Sequence, residues 1–219
     1  MQENKLTIRG ELSLLLVIII NSLGVVLMLH SGSGISAISS VPYAFADVLP
    51  VITLGAWTEV FQVSLVLSLM LLSKRFVPVY LFSFVVGSAF SAMIDVHEIW
   101  IKQLPQSLTL DIIYFTISYI VICFGVALAN RCQLPIIPTD LFPRELAAIT
   151  GWSYARIKIG FDVICLAITA AMTFFFLGRV DGLGFGTILA AFTMGKVIGS
   201  IGEYMDKHVK FVSFLSSRA

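Results

Sequence analysis

The chain has 219 residues, of which 58% are hydrophobic and 12% are charged. A soluble domain is about 45–50% apolar and about one-quarter charged, so this composition excludes a water-covered surface and predicts an integral membrane protein. The formal net charge of +1 excludes the basic footprint of a nucleic-acid-binding protein, and no nucleic-acid partner is expected.

Six apolar segments are long enough to cross a bilayer as helices, which takes about 20 residues each. In chain order they cover approximately residues 12–29, 51–73, 77–94, 112–129, 154–177 and 183–201. The pattern therefore predicts an all-α membrane protein with six transmembrane helices, and its direct surroundings are the lipid bilayer.

The basic residues predict the orientation, because cytoplasmic loops of membrane proteins are enriched in lysine and arginine. With the N-terminus inside, the cytoplasmic segments hold Lys5, Arg9, Lys74, Arg75, Arg131, Arg144, Lys207, Lys210 and Arg218. The outer segments hold only Lys102 and Arg179. Both chain ends are therefore expected in the cytoplasm.

The two halves of the chain repeat the same order of features. The sequence GVVLM at 24–28 matches GVALA at 125–129, and FQV at 61–63 matches FDV at 161–163. Three spans per half require the second half to be inserted upside down, which makes an inverted repeat as in many secondary transporters. We expect one membrane domain with a first repeat at 1–100, an inverted repeat at 101–204 and a cytoplasmic tail at 205–219.

Each half also carries a long connector between its first and second spans, at residues 31–52 and 131–153. Both connectors are partly apolar, and prolines such as Pro42 and Pro138 oppose long regular helices. Such segments suit re-entrant hairpins that dip into the membrane from opposite faces. The alternative is a helix that lies flat on the membrane surface.

Ionisable residues inside a membrane cost at least about 2.5–3.5 kcal/mol, so each one needs a function or a partner. The candidate solute pathway is lined by Glu59 and Gln62 on the second span, by Lys158 and Asp162 on the fifth, and by Asp140, Asp47, Pro42 and Pro138 on the connectors. In the repeat, Gln62 matches Asp162 and Thr58 matches Lys158. The alternatives are a neutralising pair of Lys158 with Asp162 and, for Arg156 and Lys158, snorkelling to the membrane surface.

No catalytic signature is present, so no enzyme activity, cofactor or metal site is expected. Cys123, Cys132 and Cys165 have no metal-ligand spacing and are expected to be apolar fillers. His97 and Glu98 are expected in an outer loop. The Gly195-x-x-x-Gly199 spacing allows close helix packing, either within the chain or in a homodimer.

Several motifs carry a resemblance to a known family. They are MID at 93–95, LPIIPTD at 134–140, TGWSYARIK at 150–158, FDV at 161–163 and LGRVDGLGFGT at 177–187. On these motifs the chain resembles the YczE/YitT-like family of bacterial integral membrane proteins. It departs from the family pattern at Ala44, where an acid is usual, and at Phe82-Ser83, where Gly-Thr is usual. The resemblance implies a location in the bacterial inner membrane and identifies no substrate.

Three functions are compatible with the sequence. The leading one is a small transporter that binds a small-molecule solute near mid-membrane, with Glu59 and Asp162 as carboxylates that could couple transport to protons. The second is the substrate-binding subunit of an energy-coupling-factor importer, which would need a separate ATPase partner. The third is a non-transporting scaffold or assembly factor.

Overall fold

The computed structural model describes residues 6–73, 78–134 and 136–212. Its elements are strand β1 (Leu6–Arg9), helices α1 (Gly10–His30), α2 (Ala37–Val48), α3 (Leu54–Ser73), α4 (Pro78–Ile101), α5 (Leu108–Ala129), α6 (Pro138–Thr150), α7 (Tyr154–Leu177) and α8 (Phe185–His208), and strand β2 (Val209–Val212). Several residues used in the sequence predictions lie outside the described ranges, namely Lys5, Lys74, Arg75, Val77, Pro135 and Arg218.

The six predicted spans are confirmed as α1, α3, α4, α5, α7 and α8, each of which is long and apolar enough to cross a membrane. These helices also expose large apolar side chains, including Leu71 at 79%, Phe175 at 80% and Phe185 at 81%. Such surfaces are stable only where lipid replaces water. The chain is therefore a helical, multi-pass membrane protein.

The predicted end of the third span, near Ile94, was wrong, because α4 continues to Ile101. Asp95 caps the start of α3: its Oδ1 accepts from the Gly55 N–H at 2.9 Å and its Oδ2 accepts from the Thr53 hydroxyl at 2.8 Å. Glu98 lies on the helix rather than in a loop and pairs with Lys102 at 2.8 Å. Asp95 was interpreted as the end of the span, whereas it holds the last turns of α4 against the start of α3.

Each connector contains one short helix, α2 in the first and α6 in the second. The Ser36 hydroxyl caps α2 by accepting from the Ser39 N–H, and Pro138 occupies the first turn of α6, where the missing N–H has no intrahelical partner to lose. Pro42 and Pro143 lie inside these helices, each at the sixth position. The prolines limit the length of these helices without preventing them.

The principal packing pairs remain the same when α1–α4 are exchanged with α5–α8. Thus α2 packs on α7 as α6 packs on α3, and α1 packs on α4 as α5 packs on α8. The pairs α3·α4 and α7·α8, α2·α3 and α6·α7, and α2·α8 and α4·α6 correspond in the same way. Helices α1 and α5 pack directly on each other and complete the set.

The ends of the described chain meet in a small parallel sheet, which the all-α prediction did not include. β1 pairs with β2 so that Leu6 lies opposite Val209 and Arg9 lies opposite Val212. The pairing is compatible with six crossings, because an even number of crossings returns the chain to the face where it began. It therefore places residues 6–9 and 209–212 on one face of the molecule.

Candidate functional site

A cavity of about 40 Å³ is lined by the first residues of both short helices. Its polar lining residues are Asn21, Ser36, Ser39, Thr139, Asp140 and Lys158. Its apolar lining residues are Val25, Ile38, Phe90, Ile122, Val126, Ile137, Met194 and Ile198. The cavity therefore collects side chains from α1, α2, α4, α5, α6, α7 and α8.

The lining residues come largely from equivalent places in the two halves. Val25 of α1 corresponds to Val126 of α5 in the sequence repeat, and both line the cavity. Ser39 and Asp140 are each the third residue of their short helix. The cavity thus lies where the two halves face each other, with a hydroxyl on one side and a carboxylate on the other.

Lys158 and Asp162 form a buried ion pair one turn apart on α7. The Lys158 Nζ lies 2.6 Å from both carboxylate oxygens of Asp162, and the two residues are 6% and 1% exposed. Lys158 is therefore held inside the protein and does not reach the membrane surface. Arg156 behaves differently, because it is exposed and stacks its guanidinium 4.0 Å above the Trp152 ring.

Asp140, which lies on α6 outside the six spanning helices, is the remaining carboxylate of the cavity. It is 7% exposed, and among the described residues its side chain has no hydrogen bond or ion pair. Burial raises the pKa of the Asp140 carboxyl to about 6, while the positive charges of Lys158 and Arg144 act in the opposite direction. The Asp140 carboxyl is therefore easier to protonate than that of an exposed aspartate.

Gln62 lies next to the cavity wall without lining the cavity. It is 1% exposed, and neither its Oε1 nor its Nε2 has a hydrogen-bond partner in the described structure. Its amide occupies the space where a Cβ on Gly87 of α4 would stand. The Cδ of Pro138, on α6, lies 3.2 Å from that same Cβ position. The sequence counterpart of Asp162 thus contacts α4 and α6 but lacks the partner that Lys158 provides in the other half.

We expect Gln62→Met to raise the free energy of unfolding by about 1–3 kcal/mol, because it replaces an unsatisfied buried amide with an apolar side chain of similar length. Thermal unfolding of the purified protein in detergent measures the change. Gln103→Met, on an exposed residue, serves as the control and should change little. A loss of stability on Gln62→Met would contradict the prediction by showing that the amide has a partner.

Other predicted site residues lie away from the cavity. Glu59 is half-buried, and its Oε1 accepts from the Ser88 hydroxyl at 2.8 Å between α3 and α4. Asp47 is near the C-terminal end of α2 and faces an outer pocket together with Glu98 and Lys102, not the tip of the connector. Pro42 is buried in the middle of α2. Glu59 and Asp162 thus have different partners, Ser88 and Lys158 respectively.

Four polar lining residues were missed by the sequence reasoning: Asn21, Ser36, Ser39 and Thr139. Asn21 had a usable signal, because it is an amide in the middle of the most apolar span. Its repeat counterpart is the apolar Ile122, so a search for matched polar positions passed over it. The hydroxyl residues had no such signal, because serine and threonine are ordinary in connectors.

The cavity offers one free carboxylate, an amide, three hydroxyls and a lysine occupied by Asp162. Within the part of the chain that the structure describes, no three His, Cys, Asp or Glu side chains are grouped so that they could hold a metal ion. Small polar or charged groups are what such a lining can recognise.

Fold and site together define a multi-pass helical membrane protein with a cavity of mixed polar and apolar lining between its two halves. Residues 8–203 match the model of a family of unknown function, DUF6198. Because the match covers most of the chain, the protein belongs to this family. No curated protein and no solved structure matches the chain.

Proposed function

We propose that this protein is a small membrane transporter that binds a small solute near mid-membrane between two inverted repeats. One observation carries the proposal: the first turns of the equivalent short helices of the two halves line the same cavity. Broken or short helices that end at a central site are the usual way in which secondary transporters build a binding site.

The depth of the cavity supports a re-entrant path for the first connector. Asn21 and Val25 line the cavity, yet they lie nine and five residues before His30, the last residue of α1. At 1.5 Å per helical residue, the cavity is about 7–13 Å below that end of α1. Because Ser36 also lines the cavity, residues 31–36 run back from the end of α1, and α2 then returns towards the start of α3.

The contact between α1 and α5 supports the inverted repeat. Gly24 of α1 faces Ile122 of α5, and a Cβ on Gly24 would lie 2.6 Å from the Ile122 Cγ1. Reciprocally, Gly125 of α5 faces the side chain of Asn21 of α1. Gly24 and Gly125 are counterparts in the repeat, and each faces the residue three positions before the other: Ile122 before Gly125, and Asn21 before Gly24. Such reciprocal contacts are what a pseudo-two-fold axis between the helices produces.

We place the protein in the bacterial inner membrane with both ends in the cytoplasm. The excess of lysine and arginine supports this orientation, and the β1–β2 pair is compatible with it because it holds both ends on one face. We also propose that the YczE/YitT-like resemblance and the membership in DUF6198 describe the same group of proteins. Every motif of the resemblance lies within the matched residues 8–203.

Cysteine accessibility tests the proposal without knowledge of the solute. In a background where the three buried native cysteines are replaced by alanine, Ser39→Cys or Thr139→Cys would place a thiol in the cavity. A transporter that alternates its access should be labelled there by a membrane-impermeant maleimide in right-side-out vesicles and also in inside-out vesicles. Gln103→Cys and Glu203→Cys, on exposed residues at opposite ends of the spans, are controls that should label from one side each.

The alternatives predict different labelling. A substrate-binding subunit of an importer, isolated from its ATPase, should expose the cavity to the outer side alone. A scaffold should protect Ser39→Cys and Thr139→Cys from both sides. Either result would contradict the transport proposal, provided that the two exposed controls label as expected.

A further inference from the structure

We infer that the cavity binds a small monovalent cation beside Asp140. This inference rests on the proposed function, because it names the class of solute or coupling ion that the same site takes. Its starting point is the charge balance of the cavity. Lys158 and Asp162 neutralise each other at 2.6 Å, so Asp140 is left as an uncompensated carboxylate that is 7% exposed.

The two positive groups that act on Asp140 are each paired with another carboxylate. Among the described residues, Arg144 is 3.4 Å from Glu145, with which it forms an ion pair, and the Lys158 Nζ contacts both oxygens of Asp162. Asp162 itself repels a negative charge on Asp140. A buried carboxylate in such surroundings is stable only with a bound proton or a bound cation.

A second group in the cavity also lacks a partner. Asn21 is 4% exposed, lines the cavity, and makes no hydrogen bond from its amide to any described residue. Its carbonyl oxygen packs against Gly125 of α5. The Asp140 carboxylate and the hydroxyls of Ser39 and Thr139 are oxygen ligands of the kind that alkali cations and ammonium ions accept. The cavity therefore adds hydroxyl oxygens to the Asp140 carboxylate as ligands for a cation.

An anion fits the same cavity poorly, although two helices begin there. The Ser36 hydroxyl already accepts from the Ser39 N–H, and Pro138 has no N–H to offer. Asp140 lies in the first turn of α6, so it already faces the positive end of that helix dipole. The N–H groups at the starts of the two short helices are therefore capped or missing, and the Asp140 carboxylate repels an anion from the hydroxyl and amide donors that remain.

The volume of the cavity and its single free carboxylate limit which cations can bind. A space of about 40 Å³ has room for roughly three water molecules. Ammonium, methylammonium, sodium and potassium ions fit such a space in this conformation. A single free carboxylate matches a single positive charge, and the described residues hold no carboxylate cluster of the kind that divalent ions prefer.

Thermal unfolding of the full-length protein in detergent tests the inference. At pH 8, the chlorides of ammonium, methylammonium, sodium and potassium are compared with N-methylglucamine chloride at the same ionic strength. One or more of the small cations should raise the Tm by roughly 5–10 °C at a hundredfold excess over its Kd. Which cation gives the shift distinguishes an ammonium site from an alkali-ion site.

Asp140→Asn should fold, because it removes a buried charge at nearly constant shape, and it should abolish the cation-dependent shift. Asp181→Asn makes the same chemical change next to Arg179, outside the cavity, and should keep the shift. An equal shift with N-methylglucamine, or a shift that survives Asp140→Asn, would overturn the inference. So would stabilisation by acid alone, without any dependence on the small cations.

The outcomes separate this inference from the transport proposal. A cation-dependent shift in a protein whose cavity thiols label from one side or not at all would leave the cation site standing and remove the transport function. Labelling of the cavity thiols from both sides, without any cation-dependent shift in Tm, would support the transport proposal and contradict the cation site.

Discussion

Lys158→Met should lower the free energy of unfolding by about 3–5 kcal/mol, because it leaves a buried carboxylate without its partner. Asp162 is 1% exposed, and both of its oxygens contact the Lys158 Nζ at 2.6 Å. Without the ammonium group, the cavity region would hold Asp162 and Asp140 as two like charges. Thermal or denaturant unfolding in detergent measures the loss. The pH is kept near 8, where both carboxyls are ionised in the unfolded chain.

The double variant Lys158→Met/Asp162→Leu provides the control for this prediction. Removing both charges of a buried pair is often neutral or stabilising, so the double variant should recover most of the loss. Lys102→Met breaks the exposed pair with Glu98, whose lysine is 68% exposed, and should cost less than about 1 kcal/mol. If the double variant were as unstable as Lys158→Met alone, packing around Lys158 and not its charge would account for the effect.

The six spans could be predicted from the sequence because a bilayer imposes a length and an apolar composition that a single chain displays. The predicted span at residues 154–177 coincides with α7, whose start is marked by the Ser153 cap and whose end is marked by Gly178. The end of α4 could not be predicted in the same way. Its polar residues, Asp95 among them, are stabilised by residues of another helix, and such partners are not visible from local composition.

The short helices illustrate a different limit. Prolines in both connectors correctly indicated that no long helix forms there, but they did not indicate where the helix begins. Ser36 and Pro138 set those starting points, and only the packing of α2 and α6 shows that both reach one cavity. The third residue of each short helix, Ser39 in α2 and Asp140 in α6, therefore became a site residue through tertiary placement.

The matched polar positions show what the repeat could and could not predict. The repeat pairs Thr58 with Lys158 and Gln62 with Asp162, and all four are buried in the structure. At these positions an ion pair forms in the second half alone, because Thr58 and Gln62 carry no charge; the Thr58 hydroxyl donates to the Leu54 carbonyl at 2.8 Å. The repeat thus matched positions that are buried in both halves. The bonding partner of each side chain could not be predicted from it, because the residue types at these positions differ between the halves.

Gly34→Ala should be the most damaging change in the first connector, with a loss of about 3–5 kcal/mol in the free energy of unfolding. Gly34 has a φ of +117°, and an added Cβ would lie 2.8 Å from the Gly184 nitrogen and against the Thr187 hydroxyl. Residues 33–35 and the start of α8 meet here in a contact that we call the joint. It holds two hydrogen bonds at 2.9 Å, from the Gly186 N–H to the Ser33 carbonyl and from the Ile35 N–H to the Thr187 hydroxyl.

Gly32→Ala, two residues away, separates backbone strain from this collision. Gly32 also has a positive φ, +63°, but nothing lies within 4 Å of an added Cβ. Its replacement should cost only the left-handed backbone strain, about 1–2 kcal/mol. Unfolding in detergent measures both variants, and an equal effect would contradict a close joint between the first connector and α8.

The joint also connects stability with the cavity. Ser36 and Ser39 follow Gly34 by two and five residues, so a displaced joint moves the start of α2 and with it one wall of the cavity. A protein that survives Gly34→Ala should therefore show a weaker cation-dependent rise in Tm than one carrying Gly32→Ala. An unchanged cation response in a folded Gly34→Ala protein would show that the start of α2 is positioned by its packing on α7 and not by α8.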